Sequence, residues 1–141
     1  MHVRIHIDGG ARGNPGPAGA GVVIQADDGT SLFEGGYFLG RATNNVAEYT
    51  ALLRALERAE ALAAGEAEVF SDSELLVRQM TGQYRVRNAG LRPLYEEACR
   101  RAGRFKRVSF QHVRRERNTD ADRLVNLAVE AKRNVEDAAQ P

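Results

Sequence analysis

The chain has 141 residues, enough for one domain that buries its own core without covalent staples. Hydrophobic residues make up 43%, charged residues 28%, and the formal net charge is +1, which excludes a disordered chain and an overall polycation. The single cysteine, Cys99, excludes an internal disulfide and a multi-cysteine zinc site, and no run approaches the ~18 apolar residues of a membrane helix.

No basic-then-apolar leader is visible, so the expected location is cytoplasmic, with no membrane association. Val3, Ile5 and Ile7 alternate with Arg4, His6 and Asp8, the pattern of a strand with one apolar face. Residues 18–26 and 31–39 predict two more strands, joined by the turn signal Asp27-Asp28-Gly29. From Thr43 to about Ala64 the period becomes helical, with Leu52, Leu53 and Leu56 facing the core and Gly65 as the stop. Ala67 to Phe70 form a short buried strand that ends at Ser71-Asp72. Helices are predicted over about 73–81 and 91–102, with Gly82 and Gly90 as breakers and Cys99 as a small buried thiol. Phe105 to Val113 read as a fifth strand and Thr119 to Val135 as a last amphipathic helix, followed by a frayed tail over 136–141. This order predicts an α/β layered domain with no repeat, linker or second domain.

Chemistry enters with the run Ile7-Asp8-Gly9-Gly10-Ala11-Arg12-Gly13-Asn14-Pro15-Gly16-Pro17, a carboxylate at a strand end followed by turn formers. Three further acids stand in distinctive settings: Glu48 after Thr43-Asn44-Asn45, Asp72 in Ser71-Asp72-Ser73, and Asp122 in Asn118-Thr119-Asp120-Ala121-Asp122. Hard dications take oxygen ligands, and magnesium is held by a few carboxylates, water and substrate phosphate. Asp8 and Asp72 end predicted strands, where open α/β sheets place their ligand crevices. Each acid also has a plainer reading. Asp72 and Asp122 fit helix-capping patterns, Glu48 a solvated helix acid, and Asp8 a turn residue. Together the four point to a divalent-metal site, with mutual repulsion raising at least one pKa and weakening metal retention without substrate.

The motifs Asp8-Gly9-Gly10 with Asn14-Pro15-Gly16, Thr43-Asn44-Asn45 with Glu48, Ser71-Asp72-Ser73, and Asn118 to Leu124 occur in the order of the ribonuclease H type I family, which the chain resembles over residues 8–124. The resemblance implies a five-stranded mixed sheet flanked by helices on both sides, with the type I domain over residues 1–135. It implies an endoribonuclease that hydrolyses the RNA strand of RNA/DNA hybrids and leaves a 5′-phosphate and a 3′-hydroxyl. Asp8, Glu48, Asp72 and Asp122 would hold two Mg2+ ions, or Mn2+. No obligate protein partner is implied.

On this reading Gly9, Gly10, Ala11, Asn14, Asn44, Asn45 and Ser73 face the substrate, with Asn44, Asn45 and Glu48 on one helix face. The asparagines suit 2′-hydroxyls and base edges, a contact DNA does not offer. Arg41 and Thr43 are the expected phosphate pocket for the DNA strand. The loop before the last helix, Arg114-Arg115-Glu116-Arg117-Asn118, lacks the histidine that many family members carry there. Arg115 or Arg117 would contact phosphate instead, since arginine is no general base near neutral pH. His112 is read as a sheet residue. The chain also lacks the family's basic, tryptophan-containing insertion, which predicts weak, salt-sensitive hybrid binding. Three other readings stay open: a noncatalytic nucleic-acid-binding module, a 3′–5′ exonuclease, and a nuclease for double-stranded RNA or RNA–DNA junctions. The exonuclease is disfavoured because Gly10 stands where a second acid is usual.

Overall fold

In the computed structural model, which describes residues 1–138, the first strand outruns its apolar alternation. Strand β1 covers His2–Ala11, so Gly9 and Gly10 are part of a ladder and not of a turn. It is followed by β2 (Gly16–Ala26) and β3 (Ser31–Ala42), an antiparallel meander. Then come α1 (Asn44–Ala61), β4 (Glu66–Ser71), α2 (Glu74–Met80), α3 (Arg92–Ala102), β5 (Arg107–His112), a 3-10 turn at Arg115–Arg117, α4 (Thr119–Ala131) and β6 (Val135–Ala138).

The six strands form one mixed sheet in the order β5-β4-β1-β2-β3-β6. β4 lies parallel to β1 and β5 parallel to β4, while β2, β3 and β6 pair antiparallel with their neighbours. Helices cover both faces. Glycines show which helix lies where: a Cβ on Gly9 would lie 2.3 Å from the Ala47 carbonyl carbon in α1, and one on Gly21 would lie 2.2 Å from Ala121 O in α4. Gly9 pairs with Ala20 and Gly21 with Asp8, so these two glycines look out of opposite faces. With a helix on each side, β2 is buried almost throughout, which explains its run of Gly, Ala and Val without polar alternation.

A five-stranded sheet was expected, and the sixth strand is a correction. Helix α4 stops at Ala131, Lys132 takes a left-handed φ of 53°, and Val135–Ala138 pairs with Phe33–Gly36 of β3. The last buried residue on α4 is Val129, and Val135, which looked like its continuation, packs instead beside Gly36. Arg58 of α1 also holds Glu136 at 2.6 Å. Residues 136–138 therefore belong to the sheet, and the rest of the expected tail, 139–141, lies outside the described residues.

Helix α1 also ends early. Its last turn closes through Ala63 N–H to Glu60 O and Ala64 N–H to Ala59 O, with Ala63 at φ 61°. This is a Schellman closure with alanine in the position glycine usually takes. Gly65, the expected stop, comes two residues too late. Cys99 is exposed, not buried, because the inward residue of α3 at that point is Ala98. Among the described residues no helix is long and apolar enough to cross a membrane.

Candidate active site

The parallel β1–β4 ladder ends at the pair Ile7 and Ser71. The next residue on each strand is an acid, Asp8 on β1 and Asp72 after β4, so strand pairing alone makes these two carboxylates neighbours. Glu48 is added by α1, whose backbone presses on Gly9 one residue after Asp8. Asp122 is added by the first turns of α4, where Asp122 N–H donates to Asn118 O at 3.1 Å. The four acids line one cleft of about 330 Å³, together with Gly9, Gly10, Ala11, Asn44 and Arg115.

The capping readings of these acids do not hold. Ser73, not Asp72, caps α2: its Oγ accepts from Leu76 N–H at 3.2 Å, and Ser71 Oγ accepts from Ser73 N–H at 3.0 Å. Asn118 precedes α4, and Asp122 lies inside the helix. Both aspartates are left facing the cleft, with Arg115 Nε 3.9 Å from Asp72 Oδ2 as a loose counter-charge.

Burial pushes the Asp8 carboxyl up to about 8, reinforced by the charges of Asp72 and Asp122 and by a hydrogen bond shared with Asp122. Burial likewise lifts Glu48 to about 7; the Ser73 hydroxyl, which donates to it, pulls the other way, Asp72 adds to the rise and Arg115 opposes it. Ser73 thus serves Glu48 as well as its own helix. Ser73→Ala should remove the cap, at about 0.5–2 kcal/mol. It should also raise the Glu48 pKa further, so that the acidic limb of a pH–rate profile moves to higher pH while thermal unfolding reports the lost cap.

The chemistry of the donor set fits a hard dication: oxygen ligands only, three of them half-buried with Asp122 exposed at the rim, carrying like charges that a cation would relieve. Among the described residues no group of three or more His, Cys, Asp or Glu is placed to hold a metal ion by itself. The cleft leaves room for the water and substrate phosphate that complete the ligand set of a hard dication held by few protein groups.

Other expected site residues divide. Asn44 lines the cleft, and its Oδ1 accepts from Ala11 N–H at 2.8 Å; Asn14 Oδ1 accepts from Asn44 N–H at 3.1 Å. With these oxygens engaged, what each offers a substrate is its amide donor. Gly10 pairs with Gly19 of β2 but has open space where a Cβ would stand, so a ligand can press against its Cα, whereas Gly9 is pinned under α1. Asn45 does not share the cleft with Asn44 and Glu48. It lines a neighbouring cavity of about 360 Å³ with Asn14, Thr43 and Asn88. Thr43 caps α1, its Oγ1 accepting from Val46 N–H at 3.2 Å. Arg41 is not in that cavity; it lines a separate shallow one with Phe38 and Lys132. Arg115 lines the cleft but Arg117 does not, because two residues apart in a 3-10 turn they point in different directions.

Sequence reasoning missed three residues. Arg12 and Asn126 line the cleft, the latter one helical turn beyond Asp122, a spacing that was there to be read. Asn88 lay in a loop read only for its breakers. Its Oδ1 accepts from the N–H groups of Gly90 and Leu91, which aims the loop at Thr43.

Fold and cleft together define a ribonuclease H-like domain. The family model described as reverse transcriptase-like matches residues 6–128. The chain is 50% identical over 132 residues to the bifunctional protein Rv2228c of Mycobacterium tuberculosis, and 41% identical over 128 residues to ribonuclease HI of Halobacterium salinarum. These matches take in 93% and 91% of this chain, but it spans only 36% and 64% of those proteins' lengths. The N-terminal RNase H domain of Rv2228c, solved as a fusion with maltose-binding protein, superposes with a TM-score of 0.89 at 48% identity, covering 92% of this chain and 99% of that one. LC11-RNase H1, solved in complex with an RNA/DNA hybrid, superposes at 0.88 and 44% identity, covering 92% and 98%. The chain belongs to the reverse transcriptase-like family, in its ribonuclease H type I branch.

Proposed function

We propose that this chain is an endoribonuclease that hydrolyses the RNA strand of RNA/DNA hybrids, with Asp8, Glu48, Asp72 and Asp122 as ligands for Mg2+ or Mn2+. The observation that carries the reading is the convergence of four carboxylates, from four different elements, in one cleft beside an open Gly10 backbone and an asparagine amide. The hybrid bound to LC11-RNase H1 supports the substrate class. Held by these four carboxylates, such a cation would supply activation of a water and stabilisation of the leaving 3′ oxygen in an in-line displacement. The water oxygen bonds to phosphorus as the P–O3′ bond breaks, giving a 5′-phosphate and a 3′-hydroxyl.

The chain's own groups do the rest. The Asn44 amide and Asn126 meet the RNA strand at its sugars beside the open face of Gly10, where a 2′-hydroxyl distinguishes RNA from DNA. Ser73 draws the Glu48 pKa back down against the rise that burial imposes. Arg115 faces the phosphate leaving beside Asp72. The adjoining cavity of Thr43, Asn14, Asn45 and Asn88 seats a phosphate of the DNA strand through neutral donors, and Arg41 meets the backbone further along. The work is cytoplasmic and needs no protein partner.

The test is a strand-labelled RNA/DNA hybrid with Mg2+ or Mn2+, beside RNA duplex, single-stranded RNA and DNA duplex. Internal cuts confined to the RNA strand of the hybrid, absent in Asp72→Asn, are the expected result. Hybrid binding without cutting under either metal would favour a binding module, and trimming of DNA ends an exonuclease.

A further inference from the structure

The entry into α4 is built in an uncommon way. Asn118 occupies the position before the helix, where an asparagine side chain ordinarily accepts from a first-turn N–H. Here it makes no capping bond. The residue is 2% exposed, its Nδ2 donates to Ile7 O at 2.7 Å, and its Oδ1 is buried without a protein partner. Burying an unpaired oxygen carries a desolvation penalty. Serine or threonine would cap the helix without it, so capping does not explain this residue.

Both ends of its bond explain it. Ile7 lies at the last pair of the β1–β4 ladder, and its carbonyl belongs to the same rigid peptide plane as the nitrogen of Asp8. The Asn118 carbonyl in turn accepts from Asp122 N–H at 3.1 Å. One buried side chain therefore spans the gap between the Asp8 peptide and the helical turn that carries Asp122. The same turn is seated on the sheet where the missing side chain of Gly21 admits Ala121 O.

We infer that Asn118 is a positioning residue that sets Asp122 against Asp8, so that the two carboxylates meet a divalent cation at a fixed spacing. This rests on the metal-site reading proposed above. Asn118→Ser retains a capping oxygen but is too short to reach Ile7 O, which separates positioning from helix stability. Mn2+ binding to the nucleic-acid-free protein is read from the free Mn2+ signal in electron paramagnetic resonance, beside kcat and KM on the hybrid.

The expected result is Mn2+ affinity weakened roughly 10- to 100-fold, the usual range for losing a group that orients a metal ligand. Thermal unfolding should change little, and the activity loss should fall on kcat and not on KM. Leu124→Ala, which loosens α4 through its buried side without touching the tether, should lower the unfolding temperature and leave Mn2+ affinity alone. Unchanged Mn2+ affinity in Asn118→Ser, or equal weakening in Leu124→Ala, would overturn the inference. If Asn118→Ser does not fold, Asn118→Thr gives the same comparison. A wild-type protein that binds no Mn2+ would instead refute the metal site itself.

Discussion

Asp8→Asn is expected to abolish hybrid cleavage and at the same time make the metal-free protein harder to unfold at pH 8. The carboxyl is pushed up to about 8 by burial and by Asp72 and Asp122, against an ordinary value of 3.8. A folded pKa above the unfolded one means that the native state holds its proton more tightly. Stability is then full below about pH 4 and falls as pH rises toward 8, because ionisation is easier in the unfolded chain. An amide of nearly the same shape cannot ionise, so the substitution removes that loss, on the order of a few kcal/mol at pH 8. Thermal unfolding of both proteins from pH 5 to 8 in chelator checks this. The wild type should lose stability across the range and recover it when Mn2+ is added, whereas Asp8→Asn should keep only the shallower slope that Glu48 contributes. Parallel pH slopes for the two proteins would mean that Asp8 is not the strained acid.

Gly9→Ala is expected to be nearly as damaging to activity, through geometry and not charge. The added methyl would sit 2.3 Å from the Ala47 carbonyl carbon and 2.4 Å from Glu48 N, backbone atoms that no rotamer change can clear. Relief requires α1 to lift from β1, and Glu48 rises with it. Overpacking of this kind costs about 1–3 kcal/mol, and a misplacement near 1 Å at a reacting centre can lower the rate on the order of 100-fold. Gly10→Ala is the comparison, because its Cβ would meet nothing within 4 Å. Its fold should be unaffected, and any loss should appear in KM as the methyl meets substrate. Equal unfolding temperatures and equal kcat for the two variants would show that Gly9 does not set the position of Glu48.

Much of this was legible in the sequence because it is written in local patterns. The alternation of Val3, Ile5 and Ile7 fixed the face of β1, and the order of elements gave the α/β layering. The four acids could be named because each follows a strand end or sits in a helix with its own neighbours. What could not be read depends on contacts distant along the chain. Val135 continues a helical period on paper, yet it pairs with Gly36, some hundred residues earlier, as an edge strand. Asn45 and Arg41 were grouped with the wrong neighbours because spacing along an element does not say which of two adjoining hollows a side chain enters. Ser73 hides a double duty for the same reason: that its hydroxyl meets Glu48 depends on how α1 and α2 are brought together, not on any motif.

The direction of β6 has a practical consequence. It runs antiparallel to β3, and β3 runs the same way as β1, whose far end carries Asp8. The chain therefore finishes its last described strand heading away from the acids. A fluorophore, a surface linker or a second module joined after Ala138 would trail from the pole of the molecule opposite the four acids, so immobilised or fused forms should match the free protein in the strand-labelled cleavage assay.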